Sequence, residues 1–299
     1  MLKKLLTFFV MAIFSYSAMA FTIENNYLKD SQGNKIELKK YERIIILDPA
    51  VIETLYMING EDSIVAIGKT ARSKIYPEDK TEKLANIGNI TSINLEKILS
   101  FSPDLVILNP MAVNGVQGLK NLKIPYIINE ANGIDDILEN IKIYGKITGR
   151  EKEAEDLYNS SLKKLENIKK MTEQNPLNLK GTVLYSTSPM MAFNSKSLPG
   201  QILNLLGVKN ISDNLKGDKP IISSEFLLKE NPDFLAGAMS IKSGEDILNS
   251  SPMIKETTAG KNKNVFVVDS SKILRSSPRI FEAVEEFYSE LKNVRENYK

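Results

Sequence analysis

Residues 150–173 read REKEAEDLYNSSLKKLENIKKMTE. Nearly every position is a good helix former, and Ala154, Tyr158, Leu162, Leu165, Ile168 and Met171 recur at helical spacing on a single apolar stripe. At ~1.5 Å per residue the stretch reaches about 36 Å, enough for one long helix to join two lobes. The helical pattern begins earlier, at Ile134, and is broken only near Thr148-Gly149.

The flanks of this stretch tell the same story on each side. Before it, Arg43 to Leu47, Ile64 to Ile67, Asp104 to Leu108 and Pro125 to Ile128 are short apolar runs suited to a sheet covered on both faces. Helical patterns at Val51 to Asn59 and Leu95 to Ser100 separate them. After it, Thr182 to Tyr185, Asp233 to Gly237 and Val265 to Val268 read as strands, with helices around Pro199 to Leu206, Ser224 to Glu230 and Pro278 to Val294. Thr22 to Tyr27 and Lys35 to Leu38 flank the turn residues Ser31 to Asn34 and predict a hairpin ahead of the first lobe. The expected class is α/β: two Rossmann-like lobes with mostly parallel sheets, joined by one long inter-lobe helix. The expected division is a signal peptide at 1–20, a first lobe at 21–147, the linking helix at 148–174 and a second lobe at 175–299.

An internal echo supports the division. Glu96-Lys97-Ile98-Leu99, three residues, then Pro103-Asp104-Leu105 is answered by Glu225-Phe226-Leu227-Leu228, three residues, then Pro232-Asp233-Phe234. Each copy is a helix stopped by proline and followed by a strand, and Asn94 and Ser223 stand before the two glutamates as N-caps.

Composition narrows the chemistry. The 299 residues hold no His, no Cys and no Trp, and 39 Lys plus Arg stand against 37 Asp plus Glu. Without imidazole or thiolate, the usual zinc, copper and haem ligand sets and the Ser-His and Cys-His nucleophile pairs are missing. A near-neutral chain with no basic run lacks the footprint of a nucleic-acid binder. There is no Gly-rich phosphate loop either, so an enzyme built on twin α/β lobes has no constellation to offer.

Met1 to Ala20 opens with Lys3 and Lys4, runs apolar from Leu5 to Phe14 and ends Ala18-Met19-Ala20, the pattern of a cleaved secretory signal. The apolar run is shorter than a bilayer span. With no Cys after the cleavage point, the expectation is a free soluble protein of the periplasm that is not lipid-anchored.

In their order and spacing, six segments resemble the helical-backbone (class III) substrate-binding proteins of ABC importers, the group that binds ferric siderophores, haem and cobalamin. They are Arg43 to Ala50, Tyr76-Pro77, Ile87-Gly88 with Asn94-Leu95-Glu96, Ser102 to Ile107, Asn231-Pro232-Asp233, and Arg275-Ser276-Ser277-Pro278-Arg279. The resemblance covers nearly the whole exported chain. It implies a monomer that holds its ligand between the lobes, uses no cofactor, and delivers an iron complex (ferric siderophore or haem) to an inner-membrane permease dimer. Cobalamin, or an oxyanion such as molybdate, is the alternative on the same fold. An enzyme and a transporter-independent sensor are the alternatives of other classes. The missing tryptophans count against cobalamin, since cobalamin binders of this group lay tryptophans against the corrin.

In open α/β sheets the loops after the strands' C-terminal ends meet the ligand. That rule nominates Asp48, Pro49, Lys69, Tyr76, Asn109 with Pro110, and Asn129 on the first lobe, and Tyr185, Ser186, Phe193 and Arg275 on the second. For Asp48, Pro49 and Asn109 a capping or turn role is the competing reading. Tyr76 resembles an axial iron ligand of haem-binding relatives, and a phenolate is a hard donor suited to ferric iron. Lys69, Arg72 and Arg275 are the candidate cations for an anionic ligand. The resemblance further implies that Glu96 and Glu225, one per lobe, meet arginines on the two permease subunits; a helix-dipole role is compatible with that.

Overall fold

The computed structural model describes residues 20–71 and 73–296, so the leader reading and the Arg72 assignment lie outside the described residues. Two open sheets carry the architecture. The first is wholly parallel and is built from β4 (Ile44–Ile46), β5 (Ile64–Lys69), β6 (Asn86–Asn89), β7 (Leu105–Leu108) and β8 (Tyr126–Ile128), in the order β6-β5-β4-β7-β8. Every residue of β4, β7 and β8 is buried, as expected of strands covered on both faces. The chain runs outward from β4 to one side and then resumes at β7 on the other, so the sheet's switch point lies between β4 and β7.

The second sheet contains β9 (Lys180–Thr187), β10 (Met190–Ala192), β11 (Lys209–Asn210), β12 (Phe234–Gly237) and β13 (Val265–Val267). The order is β10-β9-β12-β13, with β11 also on β9. Only β10 is antiparallel. β6, β10 and β11 were not expected as strands: Asn86-Ile87-Gly88-Asn89 has a single buried apolar residue, and β11 is two residues long. Ahead of the first lobe, β1 (Phe21–Glu24), β2 (Tyr27–Asp30) and β3 (Lys35–Glu37) form a three-stranded antiparallel sheet rather than one hairpin. The additional turn is Asn25-Asn26, both at positive φ, the backbone that tight two-residue hairpins demand and Asn tolerates.

A helix at Ile134–Thr148 ends on Gly149, whose φ of 67° supplies the left-handed C-cap. The helix Glu151–Gln174 follows and lies in sequence between the last strand of the first sheet and the first of the second. It buries Ala154, Ser161, Leu165 and Ile168 and packs against its predecessor and against the final helix, Ile280–Glu296. The stripe therefore runs into one core shared by both lobes, which also takes in Tyr144, Phe234, Phe281 and Phe287.

The echoed helices behave alike. Asn94 accepts from the Lys97 amide at 3.0 Å to cap the helix Leu95–Ser100, and Ser223 accepts from the Phe226 amide at 3.2 Å to cap Ser224–Glu230. Asn94→Ala and Ser223→Ala are each expected to cost about 1 kcal/mol in denaturant unfolding, with ligand affinity unchanged.

Candidate functional site

The rim of the first lobe is tied together by buried amides. Asp48 caps the helix Pro49–Met57 by accepting from the Ala50 amide at 2.8 Å, and Pro49 takes the first helical position, where a missing N–H costs nothing. The second Asp48 oxygen accepts from Asn129 Nδ2 at 2.8 Å. Asn129 Oδ1 in turn accepts from Asn140 Nδ2 at 3.1 Å and the Tyr144 hydroxyl at 2.8 Å. Burial pushes the Asp48 carboxyl above its usual range, with the bonds from Asn129 and Ala50 pulling the other way. Asn109 donates to the carbonyls of Leu47 and Ile90 and caps Met111 at 2.8 Å, pinning three loops at the switch point. Asp48, Pro49, Asn109 and Asn129 are thus buried, with their polar atoms committed inside the lobe. Their geometry is that of capping and bracing. Lys69 donates to the Glu82 carbonyl at 2.8 Å and is partly exposed.

On the second lobe, Phe193 is buried and meets Tyr185 edge to face at 5.6 Å, so it backs Tyr185 from beneath. Lys219 Nζ lies 5.1 Å from the Tyr185 ring centre. Ser186 Oγ donates to the Pro189 carbonyl at 2.6 Å.

The lobes meet at a carboxylate the sequence reading did not single out. Glu53 lies in the Pro49–Met57 helix and is fully buried. Its Oε1 accepts from Arg275 Nη1, from Arg279 Nη1 at 3.2 Å and from the Tyr76 amide at 3.2 Å; its Oε2 accepts from Ser277 Oγ at 2.7 Å. Arg275 also donates to the Lys74 carbonyl at 3.0 Å and to Ser73 Oγ at 2.8 Å. The Ser276 hydroxyl reaches the Ala131 carbonyl at 3.3 Å, and Gln201 Nε2 reaches the Asn132 carbonyl at 2.8 Å. Arg275 is 9% exposed, so its charge is used between the lobes.

Arg279 lies with its guanidinium carbon 4.5 Å from the centre of the Tyr76 ring. Tyr76 itself is 49% exposed, and its bond to Pro77 is cis. Two guanidinium groups face one carboxylate, so the cluster keeps one positive charge beside an exposed phenol. A lone acid in the otherwise uncharged run PAVIETLYM was the signal for Glu53, and the spacing of four from Arg275 was the signal for Arg279.

Glu96 and Glu225 are both exposed in the first turns of the capped helices. Each helix runs back along a strand that follows it within a few residues, so both glutamates stand at the end of their sheet where the strands finish. The Ser223 hydroxyl and the residue's own amide hold the Glu225 carboxyl below its usual range.

Two surface pockets open on the first lobe. One of about 370 Å³ sits behind the 69–82 loop, lined by Lys69, Ser73, Ile75 and Thr81 among others. A larger one of about 740 Å³ lies where β4, β7 and β8 begin, against Tyr41, Asp104 and Pro125. Open parallel sheets present ligands at the end where their strands finish, so the inter-lobe region is the candidate site and neither pocket defines it.

Residues 44–272 match the family described as periplasmic binding protein. The uncharacterized ABC transporter substrate-binding lipoprotein YvrC of Bacillus subtilis is 24% identical over 87% of this chain and 83% of its own length. The petrobactin-binding protein YclQ of the same organism is 24% identical over 81% of this chain and 78% of its own. Among solved structures, the vitamin B12 binding protein BtuF of Vibrio cholerae superposes with a TM-score of 0.72 at 24% identity, over 85% of this chain and 98% of that one. YvrC corrects one expectation: a similar protein is a lipoprotein, so the reading that this one is not lipid-anchored does not stand. Relatives and fold neighbours are binding proteins rather than enzymes, and what such proteins hold is transported substrate rather than a resident cofactor. With its two α/β lobes, long linking helix and matched core, the chain belongs to the periplasmic binding protein family, whose members bind small ligands and deliver them to ABC permeases.

Proposed function

We propose that this protein captures an anionic iron complex, a ferric siderophore or haem, between its lobes. The observation that carries the reading is the exposed Tyr76 phenol under the Arg279 guanidinium, beside a cluster with one positive charge to spare. A phenolate oxygen suits ferric iron, and a guanidinium answers the carboxylates or catecholates that surround it. From the second lobe, Tyr185 and Lys219 offer a second pairing of ring and cation. Asp48, Pro49, Asn109 and Asn129 hold the rim in place, and Phe193 supports Tyr185. Lys69 and Ser186 complete the surface near the ligand, and Arg275 joins the lobes behind it. Delivery follows when Glu96 and Glu225 each meet a basic group on one of two permease subunits.

Native mass spectrometry of the chain beginning at Phe21, with haem, several ferric siderophores, cobalamin and molybdate in competition, tests the reading. Retention of an anionic iron complex is expected, and Tyr76→Ala or Arg279→Ala should weaken it about tenfold or more. Retained cobalamin in place of iron complexes, or unchanged affinity in both variants, overturns it. For delivery, Glu96→Lys with Glu225→Lys should abolish uptake while leaving ligand affinity intact.

A further inference from the structure

Glu53 is out of reach of any ligand, yet four donors from two segments converge on it. A carboxylate wholly removed from water is tolerated only when it is paired and its oxygens are satisfied. Here the pairing comes from the other lobe: Arg275, Ser277 and Arg279 belong to the segment between β13 and the last helix, whereas Glu53 and Tyr76 belong to the first lobe. Arg275 is committed four ways, through Glu53, Ser73, Lys74 and burial, and so ties the 73–77 loop to the same point. Arg279 is held by one bond at 3.2 Å and is 12% exposed, with its guanidinium turned over the Tyr76 ring.

We propose that Glu53 is a positioning residue: one buried carboxylate sets the spacing of the lobes and holds the Tyr76–Arg279 pair in register, so that separating the lobes requires stripping both arginines from it. The inference rests on the proposed binding reading only in taking Tyr76 and Arg279 to face ligand; the mechanical claim concerns the ligand-free protein. The Glu53 cluster differs from an ordinary structural ion pair in being lopsided. Loss of the negative charge leaves two neighbouring guanidinium groups with nothing between them, and the one less firmly held must move.

The test uses Glu53→Gln, equal in shape and lacking the charge, without any ligand. Amide hydrogen exchange is followed at residues 73–77 and 275–279, and the Tyr76 ring resonance is followed in protein carrying ¹³C-tyrosine, assigned by its loss in Tyr76→Phe. Exchange in both segments is expected to rise about 100-fold, and the ring resonance to move to the position it takes in Arg279→Ala, while β7 and β12 keep their protection. A folded Glu53→Gln with wild-type exchange and an unmoved ring overturns the proposal, as does uniform loosening that includes β7 and β12. Should that variant fail to fold, Arg275→Lys keeps the charge and loses the reach to Ser73 and Lys74. Protection at 73–77 must then fall, and unchanged protection there overturns the proposal equally. Failure of the iron-complex reading would appear only in the binding measurements and would leave these results untouched.

Discussion

Asn129→Leu is expected to lower stability by about 4 kcal/mol and the melting temperature by roughly 10 °C, without direct loss of a ligand contact. The replacement keeps the branch and the number of side-chain heavy atoms, so the larger share of the loss is not a cavity. The loss is in polar accounting: Asp48 Oδ2 loses its donor, and Asn140 Nδ2 and the Tyr144 hydroxyl lose their shared acceptor, all in a buried environment. Each stranded group costs about 1–3 kcal/mol. Asn140→Leu removes a single bond and should cost clearly less. Asn129→Asp makes a sharper test because it places a second carboxyl against Asp48. Burial already raises the Asp48 carboxyl above its ordinary 3.8, and a neighbouring negative charge raises the pair further. In the window above that ordinary value the native state then binds more protons than the unfolded chain, so stability falls as pH rises through it. The penalty of Asn129→Asp should accordingly be smaller at pH 5 than at pH 8 in paired thermal melts. A penalty that grows on acidification contradicts the assignment.

Gly200→Ala is expected to cost about 3 kcal/mol or more, although it adds one methyl group to a helix, where alanine is normally the better residue. The added Cβ would lie 1.9 Å from the Asn194 carbonyl oxygen and 2.2 Å from its carbon, both backbone atoms that cannot swing aside. That carbonyl already accepts from the Ser197 amide at 3.0 Å and the Ser197 hydroxyl at 2.7 Å. Ser197 is also the N-cap of the helix Leu198–Leu205. The turn and the cap occupy one tight volume, and the methyl group has to displace one of them. Unfolding in denaturant of wild type and variant measures the loss. A variant within 1 kcal/mol of wild type would mean that the turn yields easily.

The order of the main strands and the long helix could be read from sequence because each rests on a local pattern: Ile44-Ile45-Ile46 and Leu105 to Leu108 are uninterrupted apolar runs, and the 154–171 stripe keeps its period. β6 and β11 have no such pattern: β6 buries one apolar side chain and β11 is two residues long, and each is a strand only through its pairing, with β5 and β9. The candidate site was legible as a set of loops, because strand ends are predictable once the strands are. The use made of each side chain was not. Asn109 and Asn129 look like ligand contacts when only their loop positions are known, and tertiary structure turns their amides inward. Glu53 resembled one more residue of an apolar helix, and its side-chain partners lie more than two hundred positions away, at a separation of 222 residues for Arg275.

That separation bears on how the polypeptide is completed. Both sheets are made of contiguous stretches and every strand of the described residues is in place by Val267, so a product cut short just beyond it would have those strands and still lack residues 275–279. Glu53 would then be left with a buried charge and no counterion, a state that water can relieve only by prising the first lobe open. Residues 275–279, made after both sheets, therefore act as a seal on the lobe made before them. Such a copy would also lack the final helix, Ile280–Glu296, so it would stand open both at Glu53 and over Phe234 and Phe266, which Phe287 covers in the complete fold.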